Sequence, residues 1–409
     1  MSGWKKWQQL EVVTQADLQN YIQDQVVQVY ANSAARGSAL GVDVTPGMVS
    51  YLQDTQTVEV RKNLGWEAVG GGGTANPAWA TSGTAGYSLV SSGTADPSWQ
   101  PVSHNYIING AFDIWQRGTS FTSSGVYTAD RFRQFHDGSG VSKTISRQTF
   151  SPNALNVAGF GEEEFFFRYQ VTSAGTSNTY HFVDVLVEDV RTLAGQTATL
   201  SFWAKSAATS PIQANIIQNF GSGGSSEVDT TFVSLANTST SWNRFIGTIT
   251  IPSISGKTVG AGSHIYIRFS MPANTTFTMD LWGVQLEAGS VATPFKRNAN
   301  SLQAELAACQ RYYWQPKTHT SFTAYSFSST LTYCTVNLPV TMRATPTFTL
   351  TNADIRISTP SGDLIPSATA SVLTSTSSIM FSATQTYTAG RGALMFPTTD
   401  TAIQISAEL

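Results

Sequence analysis

Few residues of this 409-residue chain combine the type and the spacing that catalysis or metal binding requires. The sequence lacks the motifs G-x-S-x-G, H-E-x-x-H and C-x-x-C and a phosphate loop, and its five histidines are widely spaced. Three consecutive carboxylates at residues 162–164 could act as acid and base, but consecutive residues of a strand point to opposite faces. We therefore expect a solvated turn there, and the sequence predicts no catalytic residue, no metal site and no cofactor.

Aromatic side chains are the remaining residues that could bind a ligand, because a flat ring can stack on the apolar face of a sugar. The candidates are Trp115, Trp203, Trp242 and Trp282. Trp203 alternates with Leu200 and Phe202, so on a strand its indole faces away from those predicted core residues. We expect Trp115 and Trp282 to be core residues. Trp203 is the candidate glycan-binding residue, with a core position as the alternative.

The composition favours β structure with large cores and neutral surfaces. Apolar residues make up 41% of the chain and charged residues only 12%. The formal net charge is -3 and no run of Lys or Arg exceeds two, so we expect no nucleic-acid partner. No apolar stretch reaches the length of a membrane span and no signal-peptide pattern occurs, so we expect neither membrane insertion nor secretion. Cys309 and Cys334 are predicted as buried thiols, with a disulfide as the alternative.

Residues 1–69 are predicted to contain a helix followed by a small β-meander. A capping pattern at Thr14 and a stop at Gly37 bound the helix, whose apolar stripe consists of Leu18, Ile22, Val26 and Val29. Residues 48–69 alternate in a way that predicts three strands. A sheet this small falls below the roughly 40 residues that usually fold alone. Since the helix stripe also lacks a partner nearby in sequence, we expect a homo-oligomer, most simply a homotrimer.

Residues 70–102 are rich in Gly, Ser and Thr and contain one repeated motif. The repeat is GTANPAW at residues 73–79 and GTADPSW at residues 93–99, a period of 20. Glycine and serine suit a flexible linker, but the tryptophans, Tyr87 and Leu89 are too apolar to leave in water. We favour an extended stalk in which chains pack together over a free tether.

Residues 103–298 are predicted to form a jelly-roll β-sandwich, so the fold class is mainly β. A strand at residues 106–108 opens this domain before an Asn-Gly turn, and a strand at residues 281–286 closes it. Between them lie alternating β-rich runs separated by Gly, Ser and Asn turns, at residues 181–187, 198–204, 212–219, 243–251 and 264–270.

Residues 299–409 are predicted to form a short helix and a smaller distal β domain. Asn300 is the predicted helix cap, and the buried face of the helix comprises Leu302, Leu306, Cys309 and Tyr313. Tyr312, Tyr313 and Trp314 are expected to hold the two β domains together. Strands return after residue 318, with prolines at turns or strand ends.

Distinctive motifs mark the two ends of the sandwich and the regions that flank it. The first end carries NGAFDIWQRG at residues 109–118 and ADRF at 129–132, and the second carries QLE at 285–287, ATPF at 292–295 and CQRYY at 309–313. The outer regions carry SAAR at 33–36, GMVSYL at 47–52 and LPVTMRATPT at 338–347. Together these motifs resemble bacteriophage tail-fibre or collar-fibre proteins that have a carbohydrate-binding-module-like jelly-roll domain.

The resemblance implies a structural, non-enzymatic fibre of a tailed-phage virion, assembled in the bacterial host cytoplasm and released on lysis. Residues 1–69 would attach to tail, neck or capsid proteins, and the β domains would contact a host-surface glycan or protein. Similar modules often hold calcium near the first and last strands, where Asp113 and Asp280 lie; we favour turn capping by these residues instead. Two alternatives stay open: a neck or capsid decoration fibre without a receptor role, and a polysaccharide depolymerase.

Overall fold

The computed structural model describes residues 14, 27–42, 44–69, 87–92, 95–101, 104–151, 163–207, 210–359, 362–384, 386 and 390–409. The chain divides into two compact units, Met1–Trp99 and Gln100–Leu409. Strands dominate both units in the described part of the chain, which confirms the predicted mainly-β class. None of the described helices has the length and hydropathy that a membrane span requires.

The first unit holds a small sheet and one helix. Its elements are β1 (Val27–Tyr30), α1 (Ser33–Leu40), β2 (Val49–Leu52), β3 (Thr57–Lys62) and β4 (Gly65–Ala68). Strands β2, β3 and β4 form the predicted meander, and β1 adds to β2 in parallel. Two further strands, β5 (Tyr87–Ser92) and β6 (Ala95–Pro101), pair with each other inside the predicted stalk. The first repeat copy, at residues 73–79, lies outside the described residues.

The helix boundaries predicted for the first unit are wrong. Val29 belongs to β1, and α1 begins after Asn32, whose side chain accepts a hydrogen bond from the Ala35 amide at 2.8 Å. The helix ends at Gly41, four residues later than predicted. The β-branched residues of β1 alternate with polar ones and pair with β2, and this sheet pairing outweighs the helical spacing. Residues 15–26, which carry the rest of the predicted stripe, lie outside the described residues.

The second unit begins with the predicted jelly-roll sandwich. Its strands are β7 (Ser120–Phe121), β8 (Val126–Tyr127), β9 (Phe132–His136), β10 (Ser142–Thr149), β11 (Phe165–Ser173), β12 (His181–Glu188), β13 (Thr197–Ser206), β14 (Pro211–Asn219), β15 (Val228–Asn237), β16 (Asn243–Thr250), β17 (His264–Met271) and β18 (Phe277–Ala288). The first sheet has the order β16-β13-β18-β11-β10-β7, and the second has β15-β14-β17-β12-β9-β8. Most connections between β11 and β18 cross from one sheet to the other, which is the jelly-roll pattern.

Strand alternation builds the core between these sheets. Phe202 on β13 and Val183 on β12 are fully buried in one cluster, and the residues between core positions point outward. Trp115 is buried at the end of that cluster, as predicted. Each fully buried large side chain contributes about 1.5–3 kcal/mol, so the interior of the sandwich supplies most of its stability.

The predicted opening strand at residues 106–108 is wrong: this segment contacts β18 through backbone bonds, such as that from the Tyr106 amide to the Leu286 carbonyl at 2.9 Å, and through the Asn105 side chain, but it forms no strand. The Asn105 Oδ1 accepts hydrogen bonds from the amides of Ile107 and Leu286, and its Nδ2 donates to the Val284 carbonyl at 3.1 Å. The backbone at Gly110 also approaches β18 closely, since a Cβ there would lie 2.0 Å from the Val284 oxygen. The Asn-Gly turn and the segment before it are therefore packed against β18.

The distal β domain contains two sheets around a separate core. Its elements are α2 (Leu302–Gln310), β19 (Tyr313–Trp314), β20 (Phe322–Ser326), β21 (Leu331–Asn337), β22 (Thr347–Leu350), a 3-10 turn (Asn352–Asp354), β23 (Ile355–Thr359), β24 (Gly362–Leu364), β25 (Ala368–Thr374), β26 (Ser378–Thr384), β27 (Gly392–Pro397) and β28 (Ile403–Ser406). The sheet orders are β24-β23-β27-β20-β21-β26-β25 and β19-β28-β22. Cys334 is buried in this core and Cys309 on α2; both are free thiols, as predicted.

Helix α2 begins one residue later than predicted, and its buried face agrees with the prediction at Cys309 and Tyr313 but not at Leu302. Ser301 is its cap and accepts a hydrogen bond from the Ala304 amide at 3.2 Å. Leu302 is 48% exposed, whereas Glu305 is buried because its carboxylate accepts hydrogen bonds from the amides of Asn109 and Ala299. Glu305 thus shares the buried side of the helix with Cys309, where only apolar residues were expected.

A buried charged network joins the distal β domain to the sandwich. The Glu408 carboxylate pairs with both Arg117 and Arg131, whose guanidinium groups each lie 3.5 Å over a tyrosine ring, Tyr313 and Tyr312 respectively. These contacts confirm that the tyrosines at the end of α2 hold the two β domains together. They also fix the position of the last residues of the chain against the sandwich.

Candidate functional site

A cleft of about 500 Å³ lies on the outer face of the second sheet. We call it the outer cleft; its lining residues are Arg133, Phe135, Tyr180, Phe182, Asp184, Asn219, Glu227, His264, Tyr266, Arg268 and Leu409. Alternation positions most of them, because residues 183, 185, 265 and 267 fill the core and their neighbours along β12 and β17 point outward.

Aromatic rings form one part of the outer cleft. The rings of Tyr180 and Phe182 stack with centroids 4.6 Å apart at an interplanar angle of 12°. The Arg268 guanidinium lies 4.4 Å over the Phe182 ring, and Phe135 is the register partner of Phe182 on the neighbouring strand. These flat groups are packed face against face, so they form a rigid cluster with an apolar surface.

An ion pair crosses the centre of the cleft. Arg268 donates from Nε and Nη2 to the two Asp184 oxygens at 2.8 and 2.7 Å. Burial disfavours the charge on Arg268, but the hydrogen bonds and the charge of Asp184 outweigh this effect and raise its pKa. Because both oxygens of the buried carboxylate are bound, Asp184 holds the Arg268 fork in a fixed orientation.

Neutral hydrogen-bonding groups occupy the other end. Burial raises the pKa of Tyr266 to about 12, so its hydroxyl keeps its proton and faces the Glu227 carboxylate at 3.4 Å. Burial also lowers the pKa of His264, whose Nδ1 lies 2.8 Å from the Gly262 carbonyl. A neutral His264 therefore donates from Nδ1 and keeps Nε2 as an acceptor. Asn219 donates to Glu227 at 2.6 Å.

The distal β domain supplies one wall of the cleft. Leu409 packs on Leu186, Ile217 and Tyr266, and its carbonyl accepts a hydrogen bond from the Tyr127 hydroxyl at 3.2 Å. The wall and the floor of the cleft thus come from different domains of the second unit. Its shape depends on the charged network around Glu408.

The predicted glycan-binding residue, Trp203, lies on the opposite sheet. It faces away from the core, as its position in β13 predicts, but it is half-buried beside Trp282 and Phe295. Trp282 is fully buried, as expected, although it belongs to this outer aromatic cluster and not to the main core. Trp242 is also part of the cluster. None of these tryptophans lines the outer cleft, and a glycan-binding role of Trp203 stays a prediction.

The two carboxylates considered for metal binding or turn capping both pair with cations. Asp113 pairs with Arg297 at 2.8 Å, and Asp280 accepts two hydrogen bonds from Arg168 and lies 3.7 Å from Lys205. Asp280 and its partners line a second cleft of about 370 Å³, on the outer face of the first sheet. No group of three His, Cys, Asp or Glu side chains among the described residues is arranged to hold a metal ion.

The solvated turn predicted at residues 162–164 is wrong for Glu163, which is only 2% exposed just before β11. Glu164 is exposed, and residue 162 lies outside the described residues. The two described carboxylates therefore differ in environment, and neither lines the outer cleft.

Sequence reasoning missed the residues that line the outer cleft. One signal was available: in β12, Phe182 and Asp184 alternate with core valines, and in β17, Tyr266 and Arg268 alternate with core isoleucines. An aromatic and a charged residue on the outward face of two strands is unusual for a solvated surface. The pairing of these strands, which are more than 80 residues apart, is not visible in the sequence.

Taken together, the outer cleft can bind a polar ring compound. Its rings can cover an apolar face of a ligand, while the Arg268 fork, the neutral His264 and the Tyr266 hydroxyl can exchange hydrogen bonds with hydroxyl groups at the edge. The residues are held by packing and by bonds to each other, so little order is lost on binding.

No protein-family model matches the chain, and no curated protein is similar to it in sequence. Several solved structures are similar to part of it. A domain described as CBM4 is 20% identical, with 45% of this chain and 99% of that domain covered and a TM-score of 0.29. The enzymatically active domain of tailspike protein 4 of bacteriophage CBA120 is 16% identical, covering 45% of this chain and 21% of that one, with a TM-score of 0.28. The first xylan-binding CBM22 domain of Paenibacillus barcinonensis Xyn10C is 10% identical over 47% of this chain and 95% of that domain, with a TM-score of 0.27.

Proposed function

We propose that this chain is a glycan-binding structural fibre protein of a tailed bacteriophage virion, and that the outer cleft is its glycan site. The observation that carries the glycan part is the meeting of stacked rings, Tyr180 and Phe182, with the fixed Arg268 fork in one cleft. Sugars have an apolar ring face and a rim of hydroxyl groups, and this combination matches both.

The proposed activity is binding without catalysis. Glycosidic hydrolysis usually needs two carboxyl groups flanking the bond, one of which must carry a proton. In the cleft, both Asp184 oxygens accept hydrogen bonds from Arg268, and Glu227 accepts bonds from Asn219 and Tyr266. These contacts support a positioning role for both carboxylates and make the depolymerase alternative the weaker one.

The fibre part of the proposal rests on the motifs at both ends of the sandwich. Residues 1–69 attach the chain to the particle, and the two β domains project towards a host-surface glycan. An exposed apolar face of the N-terminal sheet supports self-association into a trimer, because Val27, Val29, Val58 and Val69 lie on one face and are 53%, 59%, 36% and 57% exposed. The protein would assemble in the host cytoplasm and leave by lysis.

The test is a binding screen of the purified full chain against bacterial surface oligosaccharides, with a reducing-end assay on the same samples. We expect saturable binding to at least one oligosaccharide and no release of reducing ends. Failure to bind any oligosaccharide would contradict the glycan part. Release of new reducing ends, abolished by substitution of Glu227, would establish a depolymerase instead.

A further inference from the structure

A row of three charged residues crosses neighbouring strands on the floor of the outer cleft. Asp184 on β12 is the register partner of both Arg133 on β9 and Arg268 on β17. Arg268 occupies both carboxylate oxygens, at 2.8 and 2.7 Å. Within the described residues Arg133 forms no ion pair, and its Nε is buried without a hydrogen-bond partner. Buried donors normally have an acceptor, so this one needs an explanation.

Aromatic rings hold the Arg133 guanidinium in place. It lies 4.6 Å from the centroid of the Phe135 ring and 5.6 Å from that of Tyr127. Stacking restricts the rotamers of the side chain, so the planar fork is oriented before any ligand arrives. A loosely solvated arginine would have neither the stacking nor the buried Nε.

The ion pairs that the structure describes around the cleft engage three other arginines. Arg117 and Arg131 share Glu408, Arg117 also contacts Asp130, and Arg268 holds Asp184. Among the described residues, none of these ion pairs includes Arg133. Burial raises the pKa of Asp130 to about 6, so its negative charge weakens further in mild acid.

The remaining carboxylate of the cleft, Glu227, forms no ion pair with Arg133 in the part of the chain that the structure describes. It directly precedes β15, which is four strands away from β9 in the sheet order. Glu227 is also engaged by Asn219 and faces the Tyr266 hydroxyl. The cleft therefore has a positive end at Arg133 and a separate polar end at Glu227.

We propose that the ligand of the outer cleft is an acidic glycan and that Arg133 binds the carboxylate of a sugar acid. This inference rests on the proposed function, because it takes the cleft to be a glycan site. A carboxylate matches the planar guanidinium group in shape and charge, and it would pair with a cation for which the described residues supply no ion pair. The stacked rings of Tyr180 and Phe182 then cover an adjacent sugar ring on the same face.

The experiment measures affinity of the full chain, by calorimetry, for pairs of oligosaccharides that differ only in their acid groups. Each pair is an oligouronate or sialylated oligosaccharide and its counterpart in which the carboxyl groups are methyl-esterified. A charge-assisted hydrogen bond is worth about tenfold or more in affinity, so we expect the acid to bind about 10–100-fold more tightly than its ester. Raising the salt concentration should narrow the difference.

Three variants locate the effect. Arg133→Gln should bind acid and ester equally, and Arg133→Lys should keep part of the preference because it keeps charge without the fork. Lys205→Gln is the matched control: it removes a cation that lies beside an arginine-bound aspartate on the opposite sheet, and it should leave the preference unchanged. Thermal unfolding confirms that each variant is folded.

The outcomes separate the two proposals. Equal binding of acid and ester by the unaltered chain, or an acid preference that survives in folded Arg133→Gln, overturns this inference and leaves the glycan site intact. Absence of binding to every member of every pair overturns the proposed function and this inference together. Equally tight binding of an oligoglutamate peptide would show that the cleft recognises a carboxylate but not a sugar acid, which also overturns it.

Discussion

The buried guanidinium of Arg131, in the sandwich, pairs with the carboxylate of Glu408, in the distal β domain. The Arg131 side chain is fully inaccessible to solvent, and that of Glu408 is 8% exposed. Arg131 also donates to the Leu186 carbonyl at 2.8 Å and lies 3.5 Å over the Tyr312 ring. The pair joins the two β domains and places Leu409 as the wall of the outer cleft.

Replacing Glu408 should destabilise the second unit strongly. Glu408→Gln leaves Arg131 buried without its counter-ion, and removal of one partner of a buried pair costs about 3–5 kcal/mol. Urea unfolding measures the loss. The control is Lys317→Gln, which breaks an exposed pair with Asp400 at 3.1 Å and should cost less than about 1 kcal/mol. Equal effects of the two variants would mean that the buried network does not stabilise the domain contact.

Glycan binding should depend on Phe182 and not on Trp203. Phe182→Ala removes a ring that stacks on Tyr180 in the outer cleft, and loss of such a contact lowers affinity about tenfold. Trp203→Phe changes the aromatic cluster of the opposite sheet and should leave affinity unchanged. Titration of both folded variants with the best oligosaccharide of the screen checks this. If Trp203→Phe lowers the affinity and Phe182→Ala does not, the glycan site lies at Trp203, the residue that the sequence favours.

Acid should destabilise the sandwich through His181. This ring is fully buried, accepts or donates a hydrogen bond with the Tyr169 hydroxyl at 3.0 Å and stacks 6.0 Å from His136. Burial, followed by the charges of His136 and Lys143, lowers the pKa of His181 to about 4, whereas an unfolded histidine titrates near 6.5.

The sign of the effect follows from that difference. Between pH 6.5 and about 4, His181 is protonated in the unfolded chain but neutral in the native state. The free energy of unfolding therefore falls as the pH decreases through this window, and His181 does not change it at higher pH. The free energy of unfolding, measured with urea at several pH values, should depend less steeply on pH in His181→Gln than in the unaltered chain. His319→Gln, at an exposed position, should retain the dependence of the unaltered chain. A His181→Gln curve parallel to that of the unaltered chain would contradict the prediction.

The chain should form a trimer through its N-terminal sheet. Light scattering of the full chain should give about three times 44.0 kDa. Val29→Glu places a charge on the exposed apolar face of β1, where Val29 is 59% accessible, and should dissociate the trimer. Val291→Glu, at a 45% exposed position after β18, is the control and should remain trimeric. A stable monomer of the unaltered chain at micromolar concentration would refute the proposal.

The sequence by itself determined the parity of the strands and therefore which residues face the core. Alternation in β12, β13 and β17 follows from the two-residue period of a strand, so the burial of Phe202 and the outward direction of Trp203 could be predicted. The jelly-roll class followed from the number and spacing of such runs. These are local properties, and neighbouring residues along the chain are sufficient to specify them.

Tertiary structure decided everything that depends on which strands become neighbours. Val29 lies in a strand because β2 pairs with β1. Residues 106–108 contact β18 without forming a strand, and the Asn105 side chain supplies part of that contact. The outer cleft exists because β17 pairs with β12 in a register that brings Arg268 to Asp184, 84 residues earlier in the chain. Register between distant strands is set by the packing of the whole sandwich, and a shift of β17 by one residue would turn Arg268 into the core. That is why the residues of the cleft could not be grouped from the sequence alone.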